Sequence, residues 1–426
     1  MFPSIIMMIF TSIYSVVDGL FVSNFVGKSA FAAVNLIMPF LMGISALGFM
    51  IGTGGSAIVA KTLGEGKIEN ANEYFSMLVY ITAIGGIIIA TLSMFLVKPV
   101  AILFGASGTL LDNCILYGRI LCISLPAFML QNVFQSFFVT AEKPHLGLRV
   151  IVIAGVTNMV LDFLFVAVLH LGLHGAGFAT VCGEFIGGLF PLFYFGRKNS
   201  SLLKLGKTHF HGRILLKTCT NGSSELMTNL SSSVVNALYN MQLMKFAGED
   251  GVAAYRTIMY VNFIFVSIFF GYAIGSAPIV SYHYGANNQD ELKNLFHKSI
   301  RLIGTWAVSL FIIAQLIATP LATLFVGYDQ RLFELTRSGF RLYSFAFLIN
   351  GFNIYGSAFF TALNNGLLSA LISFLRTLVF QMAVVLLLPL LLGINGVWCS
   401  VAIAELLTLC VTGTFIVLKR NTYHYL

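Results

Sequence analysis

The chain has 426 residues, of which 58% are hydrophobic and only 9% charged, and its mean hydropathy is +0.90. A single water-soluble core cannot bury so much apolar surface, so these values exclude a soluble protein and predict a multi-spanning membrane protein. The net charge of +8 does not indicate nucleic acid, because the basic residues cluster in loops between apolar stretches.

Twelve apolar stretches are each long enough to cross the hydrocarbon core as a helix, which takes about twenty residues. They lie near residues 4–26, 31–60, 74–97, 114–138, 146–169 and 175–195, and near 214–247, 252–282, 296–319, 337–363, 367–391 and 396–418. The sequence therefore predicts an all-α polytopic membrane protein with twelve transmembrane helices in two pseudo-symmetric six-helix lobes. The predicted lobes are residues 1–195 and 214–426, joined by a linker over 196–213. The first stretch is too long for the apolar region of a cleaved signal peptide, so we expect it to remain as a membrane helix.

The placement of basic residues predicts the orientation in the membrane. The central loop and its flank contain six basic residues and no acid: Arg197, Lys198, Lys204, Lys207, Arg213 and Lys217. Loops that fall on the same side carry eight further basic residues, including Lys61, Lys67, Lys143 and Lys293, whereas the opposite loops carry mainly Lys28, Lys98, Lys245, Arg331 and Arg337. The positive-inside rule then predicts that both termini are cytoplasmic and that the protein is a multi-pass protein of the cell membrane.

The two halves are related by an ungapped shift of 221 residues. Matched pairs run along the whole half, among them Gly27 with Gly248, Gly54 with Gly275, Gly64 with Gly285, Pro99 with Pro320, Gly172 with Gly393 and Glu184 with Glu405. Such a long match indicates an internal duplication. Because each repeat has six spans, the halves should be related by an axis along the membrane normal, which is a transporter architecture. The shift leaves residues 209–222 without a counterpart in the first half, so we expect a preceding segment in the complete protein.

Asp18 and Asp162 lie inside apolar spans, where ionisation is costly and a carboxylate usually marks an ion path. The duplication does not preserve them. Four polar residues of the first half, Asp18, Asn158, Asp162 and Thr180, pair with Tyr239, Val379, Ala383 and Val401 in the second half. A packing requirement common to both lobes would have kept both copies, so this asymmetry predicts an ion site in the first lobe.

The spacing of these residues allows them to meet. Asn158 and Asp162 are four apart and share one helix face. Helical rise places Asp18 and Asp162 roughly 12 Å, and Thr180 roughly 8 Å, from the outer ends of their helices. Two carboxylates close together in low dielectric disfavour double ionisation and take up a proton, while oxygen ligands also suit Na⁺. We therefore predict that Asp18, Asn158, Asp162 and Thr180 bind the coupling cation, with H⁺ and Na⁺ both open.

Other polar residues within the spans are candidates for a cavity or for structural bonds between helices. This set comprises Glu184, Glu405, Glu225, Asn236, Asn240, Asn353, Arg256 and Arg376. The equivalent positions of Glu184 and Glu405 favour a shared structural role, and Glu225 is expected to cap the start of the seventh helix. Six scattered cysteines without CxxC spacing indicate neither a disulfide framework nor a zinc site.

Four segments resemble the multidrug and toxic compound extrusion (MATE) transporters: VDGLFVSNFVG (17–27), NMVLD (158–162), GAGFAT (175–180) and APIVSYHYGAN (277–287). The resemblance spans essentially the whole chain. It implies two six-helix lobes around a cleft, alternating access, and export of organic cations driven by H⁺ or Na⁺ entry. In the prokaryotic branch with an N-lobe cation site, the family's residues match Asp18, Asn158, Asp162 and Thr180. The acidic pair that another branch has in its second lobe has no matching set here.

Three alternatives stay open at this point. A lipid-linked substrate flippase or metabolite exporter of the same superfamily would be expected to have a more cationic cavity and often extra spans. A facilitator-type carrier also has parallel six-span repeats, but the loop 61–70 lacks the basic pattern of such carriers. An intramembrane enzyme lacks support, because there is no HExxH or GxSxG motif. We expect no catalytic residue, no cofactor, no metal beyond Na⁺, no nucleic acid and no obligate protein partner; the expected partners are organic cations and the lipid bilayer.

Overall fold

The computed structural model of the protein describes the backbone of residues 1–426 and the side chains of all of them except Leu20, Ser23, Asn24 and Lys28. The first half forms six long apolar helices. They are α1 (Phe2–Phe21), α2 (Lys28–Gly64), α3 (Ile68–Leu103), α4 (Gly108–Thr140), α5 (Pro144–Asp162) and α6 (Gly172–Gly196). Two of them continue as π-helical turns, α1 through Val22–Val26 and α5 through Phe163–Val168.

The second half repeats this arrangement. The helical stretch Gly212–Gly285 is broken at Gly248 (φ 64°, ψ −149°), which divides it into α7 over 212–247 and α8 over 249–285. The remaining helices are α9 (Gln289–Val326), α10 (Gln330–Ala362), α11 (Gly366–Leu392) and α12 (Ile394–Tyr423). With this division, the described backbone has twelve membrane helices, and the predicted all-α class is confirmed.

Paired glycines end corresponding helices in the two halves. Gly27 (φ 113°) and Gly248 (φ 64°) separate the first and second helix of each half, and Gly172 (φ 59°) and Gly393 (φ 58°) precede the sixth. A side chain is disfavoured at positive φ, which explains glycine at these four positions. The duplication read from the sequence is therefore visible in the backbone.

Glycines also set the contacts between the halves. A Cβ added at Gly54 on α2 would lie 2.6 Å from the Gly222 nitrogen on α7, and one at Gly275 on α8 would lie 3.1 Å from Met1 Cα beside α1. The 221-residue shift pairs Gly54 with Gly275 and Met1 with Gly222. The same contact therefore occurs once in each direction between the halves. Small residues allow such close helix packing within a membrane, so α2 crosses α7 as α8 crosses α1.

The segment between the halves is packed against α3. The Lys204 nitrogen donates to Asn72 Oδ1 (2.6 Å), the Gly206 nitrogen donates to Ser76 Oγ (3.0 Å), and Thr208 Oγ1 donates to the Glu73 carbonyl (2.8 Å). Leu203 is fully buried. The basic central loop therefore lies along the first turns of α3, while its boundaries as a separate linker over 196–213 stay a prediction.

Candidate functional site

The structure brings Asp18 and Asp162 together inside the first half. Asp18 lies near the end of α1 and Asp162 is the last residue of α5. Their carboxyl groups adjoin closely enough to share a hydrogen bond when one of them is protonated. Asp162 is completely buried, and Asp18 is 9% exposed. Two acids from different helices therefore form one pair.

Several polar atoms around this pair have no protein partner among the described side chains. They are Asp18 Oδ1, both carboxylate oxygens of Asp162, and both amide atoms of Asn158. Asn158 lies one turn before Asp162 on α5 and is also buried. Buried polar atoms are normally satisfied, so this concentration of unsatisfied oxygens fits a site whose proton or cation is exchangeable.

Thr180 and Glu184 extend the same cluster from α6. Thr180 Oγ1 donates to the Ala176 carbonyl (3.1 Å), and the Tyr117 hydroxyl on α4 lies beside Thr180. The Glu184 Oε2 atom accepts a hydrogen bond from Ser124 Oγ (2.5 Å), and the Glu184 charge is close enough to interact with that of Asp18. Glu184 is thus a third carboxylate near the pair.

A cavity lies beside the acid pair, although neither Asp18 nor Asp162 lines it. Tyr14, Gln131, Asn158, Thr180 and Glu184 form its polar wall. Among the described side chains, no three His, Cys, Asp or Glu groups are arranged to hold a metal ion. A bare Na⁺ would therefore have to use the oxygens of Asn158 and Thr180 as well as carboxylates, as hard cations do.

Local backbone features position the acids. α1 changes to π-helical turns three residues after Asp18, and α5 changes directly after Asp162. Single π-helical turns within helices occur frequently at functional sites. A Cβ at Gly155 would lie 2.6 Å from Phe10, and one at Gly183 would lie 3.0 Å from the Ala154 carbonyl. The absence of side chains there lets α1 and α6 approach α5 closely enough for the polar groups to meet.

Four residues of this cluster were not predicted from the sequence. Tyr14, Tyr117, Ser124 and Gln131 were not among the candidates, although all four contact or face the predicted residues. A signal was present, because Tyr117, Ser124 and Gln131 recur every seven residues and so share one face of α4. Tyr14 similarly precedes Asp18 by four residues.

Glu405, the repeat equivalent of Glu184, has different partners. Arg376 Nε donates to both of its carboxylate oxygens (2.8 and 3.0 Å), and the Asn353 amide nitrogen donates to Oε2 (2.7 Å). The two glutamates therefore differ in their partners, and a shared structural role stays a prediction. A fixed guanidinium neutralises Glu405, whereas Gly155 occupies the position equivalent to Arg376 in the first half and cannot neutralise Glu184.

A second cavity lies between the two halves. Its walls come from α2, α4, α7, α8, α10 and α11, and its charged residues are Glu225 and Arg376. The sequence analysis expected Glu225 to cap α7. That expectation is wrong because α7 begins at Gly212, which places Glu225 more than three turns inside the helix and on the cavity wall.

The remaining candidates lie outside the two cavities. Arg256 is exposed and lines neither cavity, so its suggested cavity role is wrong; its side chain lies on the surface of the helical bundle. Asn236 accepts a hydrogen bond from the Tyr255 hydroxyl (3.1 Å), which is a bond between α7 and α8. Asn240 is partly buried on α7 with its Oδ1 unpartnered.

Comparisons with known proteins agree with this architecture. The profile of the MatE family matches residues 3–164 and again residues 226–387. The multidrug export protein MepA of Staphylococcus saprophyticus subsp. saprophyticus is 22% identical over 97% of this chain and 91% of its own length. MepA of Staphylococcus haemolyticus is 23% identical over 96% and 89%. The fold is similar to that of a multidrug resistance MATE transporter solved in an outward-facing conformation, with TM-score 0.94, 23% identity, and coverage of 100% of this chain and 95% of that one.

Proposed function

The chain belongs to the MatE family, a family of transporters and not of enzymes, and we propose that it is a cation-coupled antiporter that exports organic cations by alternating access. The observation that carries the coupling is the Asp18–Asp162 pair. Two adjoining carboxyl groups buried on different helices bind a proton or Na⁺ far better than an isolated exposed acid does. The MepA relatives, named as multidrug export proteins, support the choice of substrate class.

The cavity between the halves is the proposed substrate site. Both halves contribute to it, with Thr53, Ser56 and Ser136 from the first half and Glu225 from the second. A site built from both lobes changes shape when the lobes move relative to one another, as alternating access requires. Glu225 supplies a negative charge for a cationic substrate.

The proposed coupling depends on α1 and α5. When the pair is ionised, two negative charges repel each other in a low-dielectric environment, whereas a bound proton or Na⁺ removes that repulsion. The two states of the pair therefore favour different packing of α1 against α5. We favour H⁺ as the driving ion, because two adjoining carboxyl groups readily retain one proton between them.

Efflux from reconstituted vesicles with pH and Na⁺ gradients imposed separately tests this function. Wild-type protein should export an organic cation under one of the two gradients. Asp18→Asn and Asp162→Asn should each abolish gradient-driven export and leave membrane insertion intact, because neutralising a buried acid relieves a desolvation cost.

Asp112→Asn is a matched control, because Asp112 is an exposed acid near the start of α4 and the change removes the same charge. It should export like the wild type. Efflux at the wild-type rate from both cluster variants, with their expression and folding verified, would remove the proposed coupling site.

We further propose that the protein resides in the cytoplasmic membrane with both termini inside. The support is the basic, acid-free segment from Arg197 to Lys217, which the positive-inside rule retains in the cytoplasm. The same orientation places the C-terminal end of α1, near Asp18, on the outer side of the membrane.

A further inference from the structure

The cavity between the halves contains charges of both signs. Glu225 on α7 and Arg376 on α11 both line it, and the described side chains show no ion pair between them. The two charges are nevertheless close enough to interact across the cavity. A cavity that only had to attract cations would not need an arginine in its wall.

Arg376 keeps part of its guanidinium available. Its hydrogen bonds to described residues all come from Nε, which donates to both oxygens of Glu405. The Arg376 side chain is 11% exposed, whereas that of Glu405 is 1% exposed. Guanidinium has five N–H donors, so the two terminal nitrogens remain to donate from the cavity wall.

Glu225 is available in the same way. Its carboxylate forms no ion pair and no hydrogen bond among the described side chains, and the residue is half-buried on the cavity wall. Its backbone carbonyl accepts a hydrogen bond from the Asn229 side-chain amide (2.8 Å). Nearby, the Ser357 hydroxyl bonds to those of Ser369 and Ser373, each at 2.9 Å, and completes a polar wall.

From this arrangement we infer that the cavity selects substrates that carry both a cationic and an anionic group, with Glu225 binding the cation and Arg376 the anion. The inference rests on the proposed function, in which this cavity is the substrate site. Guanidinium and carboxylate make strong charge-assisted hydrogen bonds, and the low dielectric of the cavity strengthens them. A substrate without the anion loses that contact.

The alternative role for Arg376 is purely structural, as the partner of Glu405. A single Arg376→Gln change does not separate the roles, because it leaves Glu405 buried and unpaired. The double variant Arg376→Gln/Glu405→Gln removes both charges together, and Asn353 can still donate to the amide oxygen of the side chain introduced at position 405. If Arg376 is only a structural partner of Glu405, this neutral pair should restore wild-type folding and binding. If Arg376 binds the substrate anion, the neutral pair should fold but should not bind the anion.

The test uses a rhodamine dye with a free carboxylate and the methyl ester of the same dye, with binding to purified protein measured by fluorescence anisotropy. The wild type should bind the free acid about tenfold more tightly than the ester, since hydrogen bonds to charged groups have about that effect on affinity. The double variant should lose this preference and bind the ester with unchanged affinity. Glu225→Gln should weaken binding of both dyes.

Equal affinity of the wild type for the two dyes, or binding of neither, would overturn the inference, and this comparison needs no variant. A double variant that folds and keeps the wild-type preference would overturn it as well. Gradient-driven export of both dyes from vesicles, measured in parallel, separates failure of the inference from failure of the proposed function. If either dye is exported and no preference for the acid exists, only the inference fails; if neither dye is exported under either gradient, the proposed function fails.

Discussion

Equivalent glutamates in the two halves show how one position can serve two purposes. Glu405 is neutralised by Arg376 and Asn353, so its charge is fixed. Among the described side chains, Glu184 has the Ser124 hydroxyl as its hydrogen-bond partner, and it lies near Asp18. Burial of a charge is tolerated when it is paired. The second half therefore contains an ion pair at the position where, among the described side chains, the first half contains a carboxylate without a cationic partner.

Glu405→Ala should strongly destabilise the protein, because it leaves the Arg376 guanidinium buried without its partner. Removing one member of a buried pair costs about 3–5 kcal/mol, which thermal unfolding in detergent would detect. Glu334→Ala is the matched control, since Glu334 pairs with Arg337 at 2.8 Å on a partly exposed surface, and surface pairs contribute about 0–1 kcal/mol. Equal unfolding temperatures for the two variants would contradict the structural importance assigned to the Glu405 pair.

At the level of single residues, the sequence predicts the site only in part. Asp18 and Asp162 stand out because an acid in an apolar span is costly and because the repeat lacks them. Tyr117 and Ser124 do not stand out, since tyrosine and serine are common in membrane helices. Their membership depends on which face of α4 meets α6, and one sequence does not contain that information.

At the level of helices, the closest contact between the halves is where α2 crosses α7. A Cβ at Gly222 would overlap the Met50 backbone, and one at Gly54 would overlap Thr218 and Gly222. These positions exclude any side chain larger than hydrogen unless the helices separate. The crossing fixes how the two halves are held together in this conformation.

Gly222→Ala should therefore lower the free energy of unfolding by about 1–3 kcal/mol, as overpacking does, and slow export. Gly85→Ala on α3 is the control, because an added Cβ there meets nothing within 4 Å; it should leave unfolding and export unchanged. Thermal unfolding and vesicle efflux measure both effects. A Gly222→Ala protein as stable and active as the wild type would show that the crossing is looser than described.

The helices themselves were predictable from the sequence, because twelve apolar stretches of sufficient length leave few alternatives. The residues at which these helices begin and end were not predictable in the same way. The third stretch was predicted near 74–97, whereas α3 runs from Ile68 to Leu103, since helices continue past the hydrocarbon on polar residues that hydropathy does not register. The same limit produced the wrong interpretation of Glu225, whose helix begins at Gly212.

At the level of the whole molecule, the proposed orientation makes the central loop cytoplasmic. Ser200 is exposed in this loop, so a cysteine introduced there reports its side of the membrane. In a background without the six native cysteines, Ser200→Cys should resist an impermeant thiol reagent added outside intact cells and react after permeabilisation. Rapid labelling from outside would invert the proposed topology.

The two cavities must be coupled if the protein is an antiporter. The Asp18–Asp162 pair lies within the first half and the substrate cavity lies between the halves, so an ion bound at the first can affect the second only by favouring one arrangement of the lobes over another. Such coupling is reciprocal, because each ligand changes the affinity of the other by the same factor. Couplings of this kind typically change affinity about 5–150-fold.

Substrate affinity of the purified protein should therefore weaken when the pair is loaded, by lower pH if H⁺ drives export or by added Na⁺ if Na⁺ does. The measurement is direct binding of an organic cation across a pH series and, separately, a Na⁺ series at constant ionic strength. Asp18→Asn should blunt the response because the variant carries one permanently neutral group, and Asp112→Asn should respond like the wild type. Lower pH can also protonate Glu184 near the pair and Glu225 on the cavity wall, so a pH response that Asp18→Asn leaves intact would arise at one of those carboxyl groups. Wild-type affinity that changes with neither pH nor Na⁺, for a substrate whose export has been demonstrated, would contradict antiport through this pair.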